Sequence, residues 1–342
     1  MKKSRILVTG GTGYIGSHTT VELINAGYEV VIIDNLSNSN IEVLDGIEAI
    51  TGIKPAFVKG DCCDINFLKK LFADYPDIKG IINFAASKAV GESMQKPILY
   101  YRNNLNTLMN LLELMPENGV KGIVFSSSCT VYGEPDVNPV TENTPIKNAT
   151  SPYGNTKQIS EEIITDVINA GAPFRSVILR YFNPVGAHPS SLIGELPNGV
   201  PQNLVPYITQ TAAGIRECLN VFGNDYPTPD GTCIRDFIDV VDLAKAHVIA
   251  VERLVEDKTV EPIEIFNLGT GRGVSVMELI NTFIEVTGVE LPYKFVPRRD
   301  GDIIKVWANP ERANNVLGWK ADTPLSETML NAWKWQQHLS EK

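Results

Sequence analysis

The chain has no stripe of basic residues, no C-x-x-C or H-x-x-x-H pair, and no long apolar run. Each absence removes a class. Nucleic-acid binders displace counterions with clustered Lys and Arg, and a net charge of −10 spread over 342 residues offers no such cluster. A membrane span needs about 18 or more consecutive apolar residues, and none occur here. Neither nucleic acid nor membrane is therefore an expected partner. The five cysteines, Cys62, Cys63, Cys129, Cys218 and Cys233, are odd in number and lack metal-ligand spacing, and the four histidines lie far apart. Neither a disulfide framework nor a metal site is expected, and a reducing, cytoplasmic setting fits. Ile6-Leu7-Val8 near the start is too short for the apolar core of a secretory leader, so none is expected. Internal repeats and low-complexity segments are missing too.

What is present is an ordinary globular balance, with 43% apolar and 20% charged residues. The length suggests about two domains. In the first half, short apolar runs at Arg5–Thr9, Glu29–Ile33, Ala56–Lys59, Gly80–Phe84, Gly122–Ser126 and Ser176–Arg180 read as strands. Amphipathic segments at Ile15–Ala26, Ile65–Ala73, Ile98–Met115 and Pro152–Ala170 read as helices between them. Strands that are apolar throughout belong in a sheet covered on both faces. The alternation predicts an α/β, Rossmann-type doubly wound parallel sheet. Beyond residue 182, seven prolines between Pro184 and Pro229 loosen the pattern. Short helices are expected at Leu204–Glu217, Val241–Val255 and Val276–Val286. The reading is a dinucleotide-binding domain over 1–182 and a smaller, mixed α/β capping domain over 183–342. Part of 235–270, including a strand at Ile263–Asn267, is expected to return to the first.

The first strand runs into Thr9-Gly10-Gly11-Thr12-Gly13-Tyr14-Ile15-Gly16. In this spacing Gly10 permits a tight turn, Gly13 lets the backbone approach a pyrophosphate at the helix N-terminus, and Gly16 allows close helix–sheet packing. A glycine pattern alone also fits a plain structural turn. Here it follows a strand and opens a helix, and Asp34 ends the next strand 18 positions after Gly16, near the roughly 20 usual for a ribose-binding acid. No Lys or Arg occurs from Asp34 to Ile53 to meet a 2′-phosphate. NAD, rather than NADP, is the expected cofactor.

A second constellation is Ser151-Pro152-Tyr153-Gly154-Asn155-Thr156-Lys157. Tyr153 and Lys157 share a helix face, which by itself is equally an aromatic packed on a lysine stem. The preceding strand, however, ends in the hydroxyl run Ser126-Ser127-Ser128-Cys129-Thr130, and ligands bind at the carboxyl ends of parallel strands. A hydroxyl, a phenol and an ammonium would then meet beside a nicotinamide. A phenol with a reference pKa of about 10 is a poor base at neutral pH, and a nearby cation favours its ionised form. Lowering it by two to three units asks roughly 3–4 kcal/mol of Lys157 and the cofactor charge.

Taken together, Val8–Gly16, Asp34-Asn35-Leu36, Lys88–Ser93, Ser126–Gly133, Ser151–Lys157, Leu179–Pro189, Phe222–Tyr226 and Arg298–Asp302 resemble the extended short-chain dehydrogenase/reductase family, in the branch that epimerises nucleotide sugars at C4. The resemblance covers almost the whole chain. It is most specific in Arg180-Tyr181-Phe182-Asn183-Pro184-Val185-Gly186-Ala187-His188-Pro189. It implies Ser128, Tyr153 and Lys157 as catalytic residues, and an NAD-dependent interconversion of UDP-galactose and UDP-glucose through a 4-keto sugar. It implies cofactor contacts from Tyr14, Ile15, Asn35, Asn38, Asp61, Cys62, Phe84, Ala85, Lys88, Asn103, Ser126 and Tyr181, beside the glycines and Asp34. For the UDP-hexose it implies Lys88, Ser128, Tyr153, Phe182, Asn183, Asn203, Leu204, Asn220, Phe222, Arg235, Arg299, Asp302 and Val306. Arg235 and Arg299 suit the diphosphate because a guanidinium can hold it bidentately. A homodimer through helices Ile98–Met115 and Pro152–Ala170 is also implied.

Three departures from the family pattern are visible. Cys129 follows Ser128 where alanine is frequent, and reads as a packing thiol. Cys62 replaces the usual isoleucine beside Asp61. Val306 faces the sugar in relatives that may carry tyrosine there, which suggests room for an N-acetyl group on UDP-hexosamines. The alternatives are a 4,6-dehydratase or reductase acting on nucleotide sugars, and a non-catalytic NAD sensor. A dehydratase needs acid–base carboxyls beside the hydroxyl run, where Ser128-Cys129-Thr130 has none. A sensor would be expected to lose Tyr153 or Lys157.

Overall fold

The computed structural model describes residues 3–299 and 302–341. Its first part is a regular alternation of strand and helix: β1 (Arg5–Thr9), α1 (Tyr14–Asn25), β2 (Glu29–Asp34), α2 (Val43–Thr51), β3 (Ala56–Lys59), α3 (Ile65–Asp74), β4 (Ile78–Asn83), α4 (Val90–Gln95), α5 (Pro97–Leu114), β5 (Gly122–Ser128), α6 (Pro152–Asn169) and β6 (Arg175–Tyr181). The remainder comprises β7 (Asn183–Val185), α7 (Leu204–Ala212), β8 (Leu219–Phe222), β9 (Ile234–Arg235), β10 (Phe237–Asp239), α8 (Val240–Val255), β11 (Ile263–Leu268), β12 (Val274–Ser275), α9 (Val276–Thr287), β13 (Tyr293–Val296), β14 (Lys305–Val306) and α10 (Leu325–Ser340).

Seven parallel strands form the main sheet in the order β11-β6-β5-β4-β1-β2-β3. Alternate residues of one strand face opposite sides, and both sides are covered. Ile6 and Val8 of β1 join Ile32, Val124 and Val177 under α1 and α8. Leu7 joins Val31, Ile33, Ile81 and Ile123 under α3, α5 and α6. This two-faced burial is why the strand sequences are continuously apolar. The chain winds one way from β1 to β3 and the other way from β4, so the carboxyl ends of β1 and β4 open a crevice where the direction switches.

Several elements differ from the sequence reading. β4 begins at Ile78 and ends at Asn83, leaving Phe84 beyond the strand. The helix expected to reach Glu217 stops at Ala212, where Gly214 turns at φ +74°. Helices α2, α4 and α10 were not expected.

After β6 the chain builds a second lobe. Its core joins α7, α9 and α10 through Ile208, Leu279, Phe283 and Met329. Small sheets β10-β7, β12-β9-β14 and β13-β8 supply its edges. α8 and β11 then return to the main sheet, β11 pairing with β6 from Ile263–Ser176 to Leu268–Tyr181. Among the described residues, no helix is long and apolar enough to cross a membrane.

Candidate active site

The glycine loop leaves β1 at the sheet's carboxyl edge. Gly10 sits at φ +70°, and a side-chain carbon there would lie 2.9 Å from the Ala85 backbone nitrogen. One on Gly16 would lie 2.3 Å from the Gly10 carbonyl oxygen. At Gly13 it would meet only that carbonyl, at 3.1 Å, and otherwise project into open space. Gly13 caps α1 without a side-chain hydrogen bond. The first N–H groups of the helix, at Tyr14, Ile15 and Gly16, have no carbonyl one turn back to bond. Free donors at a positive helix end, with open space before them, fit a pyrophosphate.

Asp34 is fixed at the end of β2. Its carboxylate accepts from Thr12 N at 3.3 Å, Leu36 N at 2.9 Å and Ser39 Oγ at 3.0 Å. Asn35 reaches toward Asp61 at 3.5 Å, while Asp61 also accepts from Cys63 N. Asn38 is exposed nearby. Asn103 donates to Ser87 Oγ, and the Phe84 ring lies 4.7 Å from that of His247. The Cys62 side chain belongs to the core with Leu7 and Val31, and its carbonyl accepts from Asn110 Nδ2. These residues fit NAD as a group, with the glycine cradle for the diphosphate and Asp34 for the ribose hydroxyls.

The hydroxyl run completes β5, and Ser151 opens α6 by accepting from Gly154 N at 3.1 Å, with Pro152 in the first turn. This places Tyr153 and Lys157 against the end of β5. Lys157 Nζ donates to the Ser126 carbonyl at 2.7 Å and lies 5.8 Å from the Tyr153 ring centre. Ser126 Oγ and Tyr181 OH are 2.6 Å apart.

The phenol's surroundings within the chain favour its neutral form. Burial pushes the Tyr153 phenol up, as does neighbouring Tyr181, with a hydrogen bond to Ser128 opposing them. The Lys157 ammonium is turned to the Ser126 carbonyl, and its own pKa is pulled down to about 8 by burial, against Glu161. The lysine alone does not make an ionised phenol. Burial also pushes the Cys129 thiol up to about 12, consistent with packing rather than reactivity.

On the other flank, Arg299 donates to Asp302 at 2.6 Å and lies over the Phe222 ring at 5.5 Å, while Arg235 approaches Asp302 at 3.8 Å. Arg298 is engaged elsewhere, with Asp225 and the Tyr226 ring. Asp300 and Gly301 of the same segment lie outside the described residues. Val306 pairs in register with Arg235 and is buried with Phe182, Val131 and Val140. Asn183 lies on β7, Asn203 caps α7 just before Leu204, and Asn220 Oδ1 is buried without a partner among the described residues.

Residues 7–331 match the family model described as GDP-mannose 4,6 dehydratase. A UDP-glucose 4-epimerase of Bacillus subtilis (strain 168) is 51% identical over 331 residues, 97% of this chain and 96% of its own. The chain belongs to the UDP-glucose 4-epimerases. Solved members share its architecture. The enzyme of Stenotrophomonas maltophila with bound NAD and formylated UDP-arabinopyranose gives a TM-score of 0.95 at 46% identity, with 99% of each chain covered. That of Bifidobacterium longum in complex with NAD+ and UDP gives 0.93 at 45% identity, with 98% of each covered.

Sequence reasoning missed Thr12, Ser39 and Glu195. Glu195 accepts from Asn203 Nδ2 at 2.6 Å and lies 3.5 Å from Lys88 Nζ, linking the cofactor and nucleotide flanks. No spacing rule connects residues 107 positions apart. Ser39, by contrast, stands five residues after Asp34 and was within reach of a local reading.

Proposed function

We propose that this protein interconverts UDP-galactose and UDP-glucose by inverting the sugar at C4, with NAD held as cofactor. The observation that carries this reading is the convergence of Ser128, Tyr153 and Lys157 at the end of β5, with only β4 between it and the strand that leads into the glycine cradle, in a chain of this family. Tyr153 would take the proton from the 4-hydroxyl and return it, and Ser128 would hold the same oxygen by hydrogen bond. When bound, NAD supplies the acceptor and then the donor of the hydrogen on sugar C4, and in its oxidised form a positive ring beside the phenol. Lys157 adds a second positive charge below its pKa of about 8. Arg235, Arg299, Asp302, Phe222 and Asn203 would anchor the nucleotide, so that binding remote from the reacting carbon leaves the hexose free to turn. The test is conversion of UDP-galactose to UDP-glucose by the purified protein. Tyr153→Phe should lower turnover by about 100-fold or more, and a variant as active as wild type would reject the assignment.

An apolar wall at Val306 supports use of N-acetylated UDP-hexosamines as well. Phe182 packs against it and Ile303 lies close, which limits the room gained. Turnover of UDP-N-acetylgalactosamine within about tenfold of UDP-galactose is expected, and none detected would reject the idea. For the homodimer, α5 offers support through Ile98 at 66% and Leu99 at 47% exposure, with Met94 of α4 at 61%. An exposed apolar patch of this kind suits a second copy of the chain. The cytoplasmic setting rests on the five cysteines, all free in the fold.

A further inference from the structure

Tyr153, Lys157 and Glu161 recur at four-residue intervals along α6, so they share one face, and all three are buried. The proton transfer described above makes no use of Glu161. A carboxylate at this depth needs hydrogen-bonded partners. Ser127 Oγ donates to Oε1 at 2.5 Å, Arg180 Nη2 donates to Oε2 at 2.5 Å, and Arg180 Nε bridges both oxygens at 3.0 and 3.2 Å. Both partners sit at the working end of the sheet. Ser127 lies between Ser126, whose carbonyl takes the Lys157 ammonium, and Ser128. Arg180 is in register with Ser127 across β5 and β6 and immediately precedes Tyr181. Arg180 Nη1 donates onward to Tyr132 OH at 3.1 Å, and Tyr132 donates to Asn267 on β11 at 2.6 Å.

The charge acting on Lys157 comes from Glu161. The other titratable groups around this corner are Tyr153 on the same helix, Arg180 and Tyr181 of β6, Cys129 and Tyr132 of the turn after β5, Tyr100 of α5 and His247 of α8. Two further carboxylates lie beyond them: Glu142, which accepts from Asn267 N and acts on Tyr132, and Asp236, which acts on Cys129. The charge that opposes the fall of Lys157 is that of Glu161.

We propose that Glu161 is a positioning residue for the reaction, clamping the serine run of β5 against α6 and setting a fixed negative charge behind the Lys157 ammonium. The arginine that holds it makes this more than a neutral packing contact, because loss of the carboxylate alone leaves a buried guanidinium without its ion-pair partner. Burial already draws Lys157 down to about 8 while Glu161 opposes the fall. The ammonium is therefore present below that pH and lost as pH rises through it. Removing the negative charge moves the loss to lower pH.

Only the activity arm of the test rests on the epimerase reading. Lysine-labelled protein, with the Lys157 signal assigned by its disappearance in Lys157→Met, is titrated by NMR as wild type and as Glu161→Gln, which keeps the shape and one acceptor. The Lys157 midpoint should fall by about one pH unit, a tenfold change in the ammonium-to-amine ratio. The alkaline limb of kcat should move with it, while KM for UDP-galactose changes by less than about twofold. A folded Glu161→Gln protein with an unmoved lysine midpoint and an unmoved limb overturns the proposal. Should that variant not fold, Ser127→Ala cuts only the link to the serine run. A several-fold lower kcat with an unchanged lysine midpoint is then expected, and an unchanged kcat overturns the clamp. A wild-type protein inactive on UDP-galactose would strike the catalytic reading, and the lysine titration would still decide about Glu161.

Discussion

Two glycines in the loop after β1, Gly13 and Gly16, do different work. A methyl on Gly16 would sit 2.3 Å from the Gly10 carbonyl oxygen, far inside contact distance, whereas a methyl on Gly13 meets that carbonyl at 3.1 Å, a few tenths too close, and otherwise points where the cofactor's diphosphate would lie. Gly16→Ala should therefore cost about 1–3 kcal/mol of stability along with NAD retention. Gly13→Ala should keep its melting temperature within about two degrees but hold NAD at least about tenfold more weakly. Melting curves and the NAD content of purified protein separate the two; identical behaviour would contradict the assignment. At this scale the sequence was readable where a residue acts through its neighbours in the chain. The glycines, Asp34 and the Tyr153–Lys157 step are local patterns. Glu195 was not readable, because its partners Lys88 and Asn203 arrive from other segments, and Arg180 was seen as part of a motif without its role under the serine run.

Among the elements, α5 presents the clearest exposed apolar residues of the first lobe. Its buried side carries Tyr100, Leu108, Leu111 and Leu112, while Ile98 and Leu99 face outward. α6, packed beside it, turns Glu162 and Asp166 to solvent. If a partner copy covers this face, Ile98→Glu should convert the assembly to monomers in light scattering, because a buried unpaired charge at an interface is strongly disfavoured. A wild-type protein already monomeric at working concentration would remove the dimer. The long apolar strands were legible because both sheet faces are covered. α10 was not, for the opposite reason. Its inner face includes Thr328, Asn331 and Gln336 beside Met329 and Ala332, with Thr328 donating to Asp239. A helix that buries polar groups against partners shows no apolar stripe to read.

For the molecule as a whole, two histidines set an acid limit. His18 on α1 and His247 on α8 are fully buried, and burial draws them down to about 3 and about 4, against a partly restoring bond from each ring to the carbonyl one turn back. The unfolded chain takes up these protons near pH 6.5. Their contribution is therefore complete above that pH and lost as pH falls toward 4. The melting temperature should drop between pH 7 and pH 5, and His247→Leu, which also removes an unpartnered ring nitrogen, should flatten that drop. A parallel loss in the variant would exclude His247 as a source.

The return of β11 to the far border of the sheet has its own consequence. The strand that shields β6 is synthesised some eighty residues later, after the first part of the second lobe has been made. Until it arrives, the nascent first half carries a bare apolar ribbon with every outward amide unsatisfied. A fragment cut after Phe182 would keep that open border for good, and would tend to seek strands from other copies.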